Sequence, residues 1–418
     1  MKKVLKNCLV VDENLNFEKK DLYVEDGRFV DFAEENAEDV EDLKGALVLP
    51  GLVNTHTHAP MSLFRGIAED VELYEWLSTY IFPREDKLTE EDVYIGSLVS
   101  FMEMIKNGIT TFVDMYFFQD AVAQAAKDVG IRGVITRGLA DISGNGGQKL
   151  KECEDFIKAH ANDPLIRGGV GPHALYTCSN DYFKEAVQLA HSTDSLLTFH
   201  LLESPLERED YVKRTGMESV DFLDSIGAFD ERTIIAHGTH FNEKELDLIA
   251  QRGATLSYNP ISNAKLGNGI APIHLALSKK VNVTLGTDSA ASNNSLNLFD
   301  EIKFGVLVQR AISKDPTVMK MEEVFSMATK NASKPLPFEV GKIESGMLAD
   351  LVVVNTESLS LSPNEYMKSH LIYSFDTSAI KKVMVNGEWV YDEGFLNVDF
   401  HEVMERFEKA VSSLNSRL

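Results

Sequence analysis

Two histidines stand two residues apart in Leu52-Val-Asn-Thr-His-Thr-His58. On a β-strand, side chains at i and i+2 share a face, so His56 and His58 can point the same way. His-x-His alone is a weak signal. His200 and Asp288 close two further apolar runs, and four such residues at strand ends are hard to obtain by accident. Three neutral imidazoles and one carboxylate suit a divalent ion, Zn²⁺ first and Fe²⁺ or Mn²⁺ next. They leave one coordination position for water, as catalytic sites do. Glu203 follows His200 by three residues in His200-Leu-Leu-Glu203. From there a carboxylate can take a proton from a water activated by such an ion and pass it to a substrate nitrogen. The plain alternative is a solvated loop glutamate, since Glu207 and Glu209 follow. His237, in Ala236-His-Gly-Thr-His240, can hydrogen-bond the attacking oxygen or polarise the bond being cleaved; an inert buried histidine is its plain alternative. His240 reads as structural. Asp288 can also share a proton with the water while acting as a ligand. The expected catalytic set is therefore Glu203, His237 and Asp288.

These residues need elements to bring them together. Eight strand-like runs cover 52–58, 109–114, 133–137, 168–173, 196–200, 233–237, 254–259 and 281–288. Helical patterns lie between most of them, at 91–107, 119–129, 181–192 and 243–251. Eightfold strand–helix alternation predicts an α/β fold, a (β/α)₈ TIM barrel. Nearly every run ends in a polar or ionisable residue: His56 and His58, Asp114, Arg137, His173, His200, His237, Asn259 and Asp288. Active sites of such barrels form at the C-terminal ends of the strands, so the chemistry lies where the fold would gather it. Short β pieces at Lys3–Leu5, Leu9–Val11, Leu22–Val24 and Phe29–Val30 precede the barrel, and strands near 350–355 and 383–390 follow it. This predicts a small composite β domain from 1–48 and 340–418, with a last helix over 400–417, around a barrel domain over 49–339.

The chain has 418 residues, 44% of them hydrophobic and 25% charged, enough for one large barrel and a smaller module. A formal net charge of −24 repels phosphate backbones and anionic lipid, which disfavours nucleic acid and membranes as partners; simple solvation is its plain reading, and by itself it says nothing about the small-molecule substrate that is expected. Three cysteines without a Cys-x-x-Cys pattern argue against a disulfide framework and for a reducing cytoplasm. The start Met-Lys-Lys is not followed by a signal-peptide core, and no apolar stretch is long enough to span a bilayer. A homo-oligomer is left open.

Several segments together resemble the amidohydrolase superfamily, and within it the branch of methylthioadenosine/S-adenosylhomocysteine deaminases and chlorohydrolase-like proteins. They are Pro50-Gly-Leu-Val-Asn-Thr-His-Thr-His-Ala-Pro-Met61, His200-Leu-Leu-Glu203, Ala236-His-Gly238, Leu285-Gly-Thr-Asp-Ser-Ala-Ala-Ser-Asn-Asn294, Ala328-Thr-Lys-Asn331 and Leu348-Ala-Asp-Leu-Val352. The resemblance implies that His56, His58, His200 and Asp288 hold the metal, that Glu203 shuttles the proton and that His237 assists the water. It implies a substrate-binding set of Trp76, Glu85, Arg137, His173 and Glu203, with Trp76 and Glu85 on a segment covering a nucleoside. Some members bridge two metals with a carbamylated lysine at the end of strand four. Here that place reads Gly171-Pro172-His173, so one metal is expected. Relatives that use adenosylhomocysteine carry a second arginine in the loop after strand three. This chain has Asn145-Gly-Gly-Gln-Lys-Leu-Lys151 there, and Lys149 lacks the bidentate fork of an arginine. The implied reaction is metal-dependent hydrolytic deamination of an adenosine-type purine nucleoside, with release of ammonia. Other amino-heterocycles (guanine, pterin, cytosine), imidazolone ring opening and a chlorotriazine are rivals on the same site. A non-catalytic scaffold is the remote alternative.

Overall fold

The first fifty residues alternate β-formers with Asp, Asn and Gly turns, and they form five strands: β1 (Lys2–Val11), β2 (Phe17–Glu25), β3 (Arg28–Val30), β4 (Asp39–Asp42) and β5 (Leu47–Pro50). A computed structural model describes residues 2–32, 37, 39–142 and 144–418. Met1 and residues 33–36 and 38 of the expected N-terminal β segment lie outside the described residues, as does Ser143. The β2–β3 hairpin turns through Asp26-Gly27, both at positive φ (49° and 78°), the geometry that favours Asp-Gly in tight hairpins. The sequence suggests two short strands where the structure has the single β1. A bulge between Leu5 and Cys8 joins the two pieces, with Asn7 in left-handed backbone and its N–H donating to Asp21 Oδ1 at 2.8 Å.

The eight expected runs become eight parallel strands: β6 (Leu52–Thr57), β7 (Ile109–Tyr116), β8 (Arg132–Leu139), β9 (Ile166–Pro172), β10 (Leu197–Leu201), β11 (Thr233–His237), β12 (Thr255–Tyr258) and β13 (Asn282–Leu285). They pair in chain order from β6 to β13. Their residues are almost all buried, as expected of a parallel sheet covered by helices. Side chains do much of the closure between β13 and β6. The Thr55 hydroxyl lies 2.8 Å from those of Ser257 and Thr284 and donates to Leu285 O at 2.9 Å. Above it the Asp288 N–H donates to His56 O at 2.9 Å. This seam ties the first expected metal ligand directly to the last.

The outer helices begin where the sequence offers caps. Thr89 and Asp92 form a capping box on the helix Glu90–Lys106, and Asn242 and Glu245 form one on Glu243–Arg252. The expected helices at 119–129 and 181–192 appear as Gln119–Val129 and Asn180–Thr193. After the barrel the chain returns through β14 (Leu351–Val354), β15 (Ile380–Val385) and β16 (Glu388–Asp392) to complete a second sheet, ordered β16-β15-β14-β5-β1-β2-β3 with β4 beside β1. The last helix, Phe400–Ser416, lies against Glu90–Lys106, where Arg406 pairs with Glu91 and Arg417 with Asp92, both at 2.7 Å. Among the described residues, no helix is long and apolar enough to cross a membrane.

Candidate active site

His56 and His58 leave the end of β6 on one face, as the i, i+2 spacing requires. His200 comes from β10, and Asp288 lies three residues beyond β13. Their rings and carboxylate converge. The His56 ring centroid is 4.9 Å from those of both His58 and His200. Asp288 Oδ1 is 3.6 Å from His56 Nε2 and 3.5 Å from His58 Nε2. Asp288 and His237 both hold positive φ (59° and 75°), a conformation that costs of order 1–3 kcal/mol for a non-glycine residue and recurs at functional sites.

Second contacts fix which ring nitrogens carry hydrogen. His58 Nδ1 lies 2.7 Å from Met115 O and His200 Nδ1 lies 2.8 Å from His173 O. A carbonyl only accepts, so both Nδ1 atoms carry the proton and both Nε2 atoms present lone pairs. Those two Nε2 atoms are 3.2 Å apart. Two lone pairs that close repel unless a cation lies between them. Tetrahedral zinc with Zn–N near 2.0–2.1 Å would set its nitrogens about 3.3 Å apart. His56 Nε2 is buried without a hydrogen-bond partner, a further lone pair in want of a cation. The donor set therefore fits a divalent ion on its own chemistry. Backbone carbonyls orienting two ligating imidazoles is the usual outer support of such centres. Burial drives the His56 and His200 imidazoles well below their ordinary value and lowers His58 as well, so all three are disposed to the neutral form that can bind a cation. Burial opposes ionisation of Asp288, but His56, His237, His58 and the Ser262 hydroxyl outweigh it and hold the carboxyl at about 2.

Glu203 and His237 stand beside this cluster. Glu203 Oε2 is 3.6 Å from His237 Nε2, and atoms of Glu203, His237 and Asp288 lie within 4.8 Å of one another. Burial first, and then the charge of Asp288, pushes the Glu203 carboxyl well above its ordinary range. Glu203 is thus no solvated loop residue, but a buried carboxyl disposed to hold a proton. His237 Nδ1 lies 2.8 Å from Asn263 Oδ1, which only accepts, and 3.3 Å from Asn259 Nδ2, which only donates; the shorter contact places the hydrogen on Nδ1 and leaves Nε2 to accept. His240, expected to be structural, hydrogen-bonds Asn268 O through Nε2 at 2.8 Å.

A cavity of about 550 Å³ opens over the cluster, and Trp76, Glu85, Arg137 and His173 all line it. His173 Nδ1 donates to Thr177 Oγ1 at 2.9 Å, because that hydroxyl itself donates to Ala174 O. Burial lowers the His173 imidazole to about 3, so its Nε2 is an acceptor. Glu85 sits in the half-buried turn Phe82–Glu85, where burial lifts its carboxyl to about 7 against the effect of the neighbouring Tyr116 hydroxyl. Arg137 is held by Glu152 at 3.3 Å and stacks over Phe117. Lys149 lines the same cavity and donates to Ala140 O at 2.7 Å.

Several polar residues of the site escape sequence reasoning. Ser262 donates to Asp288 Oδ2 at 2.6 Å, Asn263 holds His237, and Asn268 donates to Glu203 Oε1 at 3.0 Å. All three lie in one short segment after β12. The only sequence signal is the density of Asn and Ser just past a strand end at the chemical face of the barrel, in Asn259-Pro-Ile-Ser-Asn263 and Gly267-Asn268-Gly269.

Similarity to known proteins agrees with this geometry. The model of the amidohydrolase family matches residues 47–390. A 5'-deoxyadenosine deaminase of Methanocaldococcus jannaschii is 40% identical, covering 98% of this chain and 100% of the relative. An adenosine deaminase from Xanthomonas campestris, solved with bound zinc, superposes with a TM-score of 0.94 at 27% identity, over 99% of this chain and 98% of that one. An atrazine chlorohydrolase from Arthrobacter aurescens, complexed with zinc, shares the fold at a TM-score of 0.91 and 22% identity, over 98% and 100%. With the family match spanning most of its length and close likeness from end to end, this chain belongs to the amidohydrolase family.

Proposed function

We propose that this protein is a metal-dependent hydrolytic deaminase of adenosine-type nucleosides, with 5'-deoxyadenosine as the first substrate to test. The observation that carries the reading is a buried Glu203, its carboxyl raised by burial and by Asp288, beside His56, His58, His200 and Asp288 at the floor of a nucleoside-sized cavity. Full-length likeness to 5'-deoxyadenosine deaminases supports the substrate class.

His56, His58, His200 and Asp288 would hold one divalent ion, with zinc favoured by the donor set. When bound, that ion supplies a water of lowered pKa and stabilises negative charge on oxygen. His237 accepts a hydrogen bond from the attacking water through Nε2 and aims it at C6 of the purine ring. Glu203 delivers its proton to the adjacent ring nitrogen, which makes C6 electrophilic; its carboxylate then takes one proton of the attacking water and passes it to the departing amino group, and the other water proton restores the acid. Asp288 takes part in orienting the water. His173 offers an acceptor to the base or ribose, Glu85 accepts from ribose hydroxyls, Trp76 covers the nucleoside and Arg137 stands toward the 5' end. The products are the 6-oxo nucleoside and ammonia.

The test is ammonia release by zinc-loaded protein from 5'-deoxyadenosine, methylthioadenosine, adenosine, S-adenosylhomocysteine, guanine, cytosine and a pterin, with chloride release followed for a chlorotriazine. Turnover of the adenosine-type nucleosides well above the others is expected. Turnover confined to guanine, pterin, cytosine or triazine overturns the substrate reading.

A further inference from the structure

One short segment touches all three residues proposed to move or orient protons. It runs from the helix Pro260–Lys265 through the turn at Gly267 and Gly269. Ser262 reaches Asp288, Asn263 reaches His237 and Asn268 reaches Glu203. The segment is itself clamped. Its first turn is held by the buried Glu301, which accepts from the Ile261 N–H at 3.2 Å. Its last turn is held twice, by the Asn268 N–H donating to Asn263 O at 2.9 Å and by His240 on Asn268 O. Asn268 is buried, with 4% of its surface exposed, so its amide is fixed rather than free to rotate toward solvent.

The chemistry of the Asn268 contact is asymmetric. Its Nδ2 donates to Glu203 Oε1, so Oε1 must remain an acceptor in either protonation state of Glu203. The carbonyl oxygen of a carboxyl is its better acceptor, so with Oε1 engaged by Asn268 a proton on the carboxyl is favoured on Oε2. That oxygen carries no hydrogen bond among the described residues and lies 3.6 Å from His237 Nε2. Without Asn268 the proton could occupy either oxygen, and half of the arrangements would point it away from the reacting ring.

We propose that Asn268 is a positioning residue for proton transfer: it favours the transferable proton of Glu203 on Oε2, within a brace that also aligns His237 and Asp288. The inference rests on the proton-carrying role of Glu203 given above. In the step concerned, the Oε2–H bond breaks and a bond from that hydrogen to the substrate ring nitrogen forms. The ring nitrogen supplies the new bonding pair, and the O–H pair stays on the carboxylate that Asn268 continues to hold through Oε1.

The test compares Asn268→Leu and Asn268→Asp with the parent enzyme, each alone and each combined with Glu203→Gln, in zinc-loaded protein with 5'-deoxyadenosine. Asn268→Leu removes the donor at similar volume. It should lower kcat about 10- to 100-fold, with KM within about threefold of the parent value and zinc content unchanged, while the solvent deuterium isotope effect on kcat rises. In the Glu203→Gln background the same substitution should cost almost nothing, because its effect passes through Glu203. Asn268→Asp keeps shape and turn but turns the donor into an acceptor. Its deficit should shrink as the medium is acidified and the new carboxyl regains a proton to donate, a recovery that a purely structural role would not produce. Costs that multiply with Glu203→Gln, or an Asn268→Asp deficit independent of pH, overturn the proposal. Full activity of Asn268→Leu beside an impaired Glu203→Gln overturns this proposal alone. Full activity of Glu203→Gln itself removes the function assigned to that carboxyl, and this inference with it.

Discussion

The chemistry here is set by lone pairs and protons on a few atoms. Three imidazoles are disposed to the neutral form by burial, and for two of them a backbone carbonyl fixes the hydrogen on Nδ1. Removing the ion should therefore expose facing lone pairs and weaken the fold as well as the activity. Dialysis against a chelator is expected to abolish turnover and lower the melting temperature, and zinc should restore both, since a ligand bound only to the folded state stabilises it. Differential scanning calorimetry with and without zinc checks this; an unchanged melting temperature and undiminished turnover after complete metal removal would sink the assignment. Glu203→Gln keeps the shape and the Asn268 contact but loses the acid. A drop in kcat of about 10²- to 10⁴-fold is expected, with zinc content and circular dichroism as in the parent, and a variant of normal kcat would contradict it. The groups at this scale were legible because ionisable residues seldom end apolar runs, and imidazoles and carboxylates gathered at strand ends suit a cation. Their supports were not. Asn263, Asn268 and Ser262 are residue types that loops use for turns, and nothing in local spacing tells an asparagine that closes a turn from one that reaches a glutamate 65 positions away.

Strands and turns set how closely those groups approach. Gly286 follows β13 where it presses on the first strand of the barrel. A Cβ there would stand 2.4 Å from Asn259 Oδ1 and 2.8 Å from both His56 Cβ and Ser257 Oγ. These are packed groups at the root of the site rather than flexible tips. Gly286→Ala is therefore expected to cost about 1–3 kcal/mol through overpacking and, by displacing His56, to weaken zinc binding. Chemical denaturation and zinc titration of the same sample measure both, and a variant with parental stability and zinc affinity would show that the seam yields. The turn after β6 is held by the Asp114 carboxylate, which accepts from the Ala59 N–H at 2.6 Å. Burial raises that carboxyl to about 7, with the Ala59 N–H only partly offsetting it. Because the folded-state value is raised, its contribution is complete below the ordinary carboxylate range and is lost as pH climbs toward and past about 7. Asp114→Asn keeps an acceptor and cannot ionise, so the parent should lose stability relative to the variant on raising pH, by at most about 1.4 kcal/mol per pH unit. Parallel denaturation series across pH check this, and a pH-independent difference would contradict it. At this scale the alternation of strands and helices was readable from periodicity. The short π-helical stretch Trp76–Ile81 over the cavity was not, because its form answers to what it covers rather than to its own pattern.

The barrel and the sheet built from both chain ends meet at the face opposite the chemistry, and one buried ion pair fastens them. Arg132 begins β8, while Asp350 immediately precedes β14. Their side chains are 0% and 1% exposed and form two parallel hydrogen bonds, Nε and a terminal nitrogen to the two carboxylate oxygens, each 3.1 Å. Arg132 also donates to Pro164 O at 2.7 Å and lies over Phe338, and Asp350 accepts from the Asn386 N–H at 2.7 Å. That the two termini share a sheet could be anticipated from their matching β character. This pair could not, because arginine and aspartate 218 residues apart carry no local mark of burial together. A buried pair is costly to create but costlier to halve, since the survivor is left charged in a poorly polarisable interior. Arg132→Met should therefore destabilise the molecule by about 3–5 kcal/mol, whereas Arg132→Met with Asp350→Asn, which removes both charges and keeps an acceptor for Asn386, should lie closer to the parent. Because the pair sits at the N-terminal ends of the barrel strands and the chemistry at their C-terminal ends, kcat per folded molecule should be unchanged in both variants. Urea denaturation beside active-site titration separates the two quantities. A single variant as stable as the parent, or one that stays folded but loses turnover, would mean that the two ends of the barrel are coupled in a way this geometry does not provide.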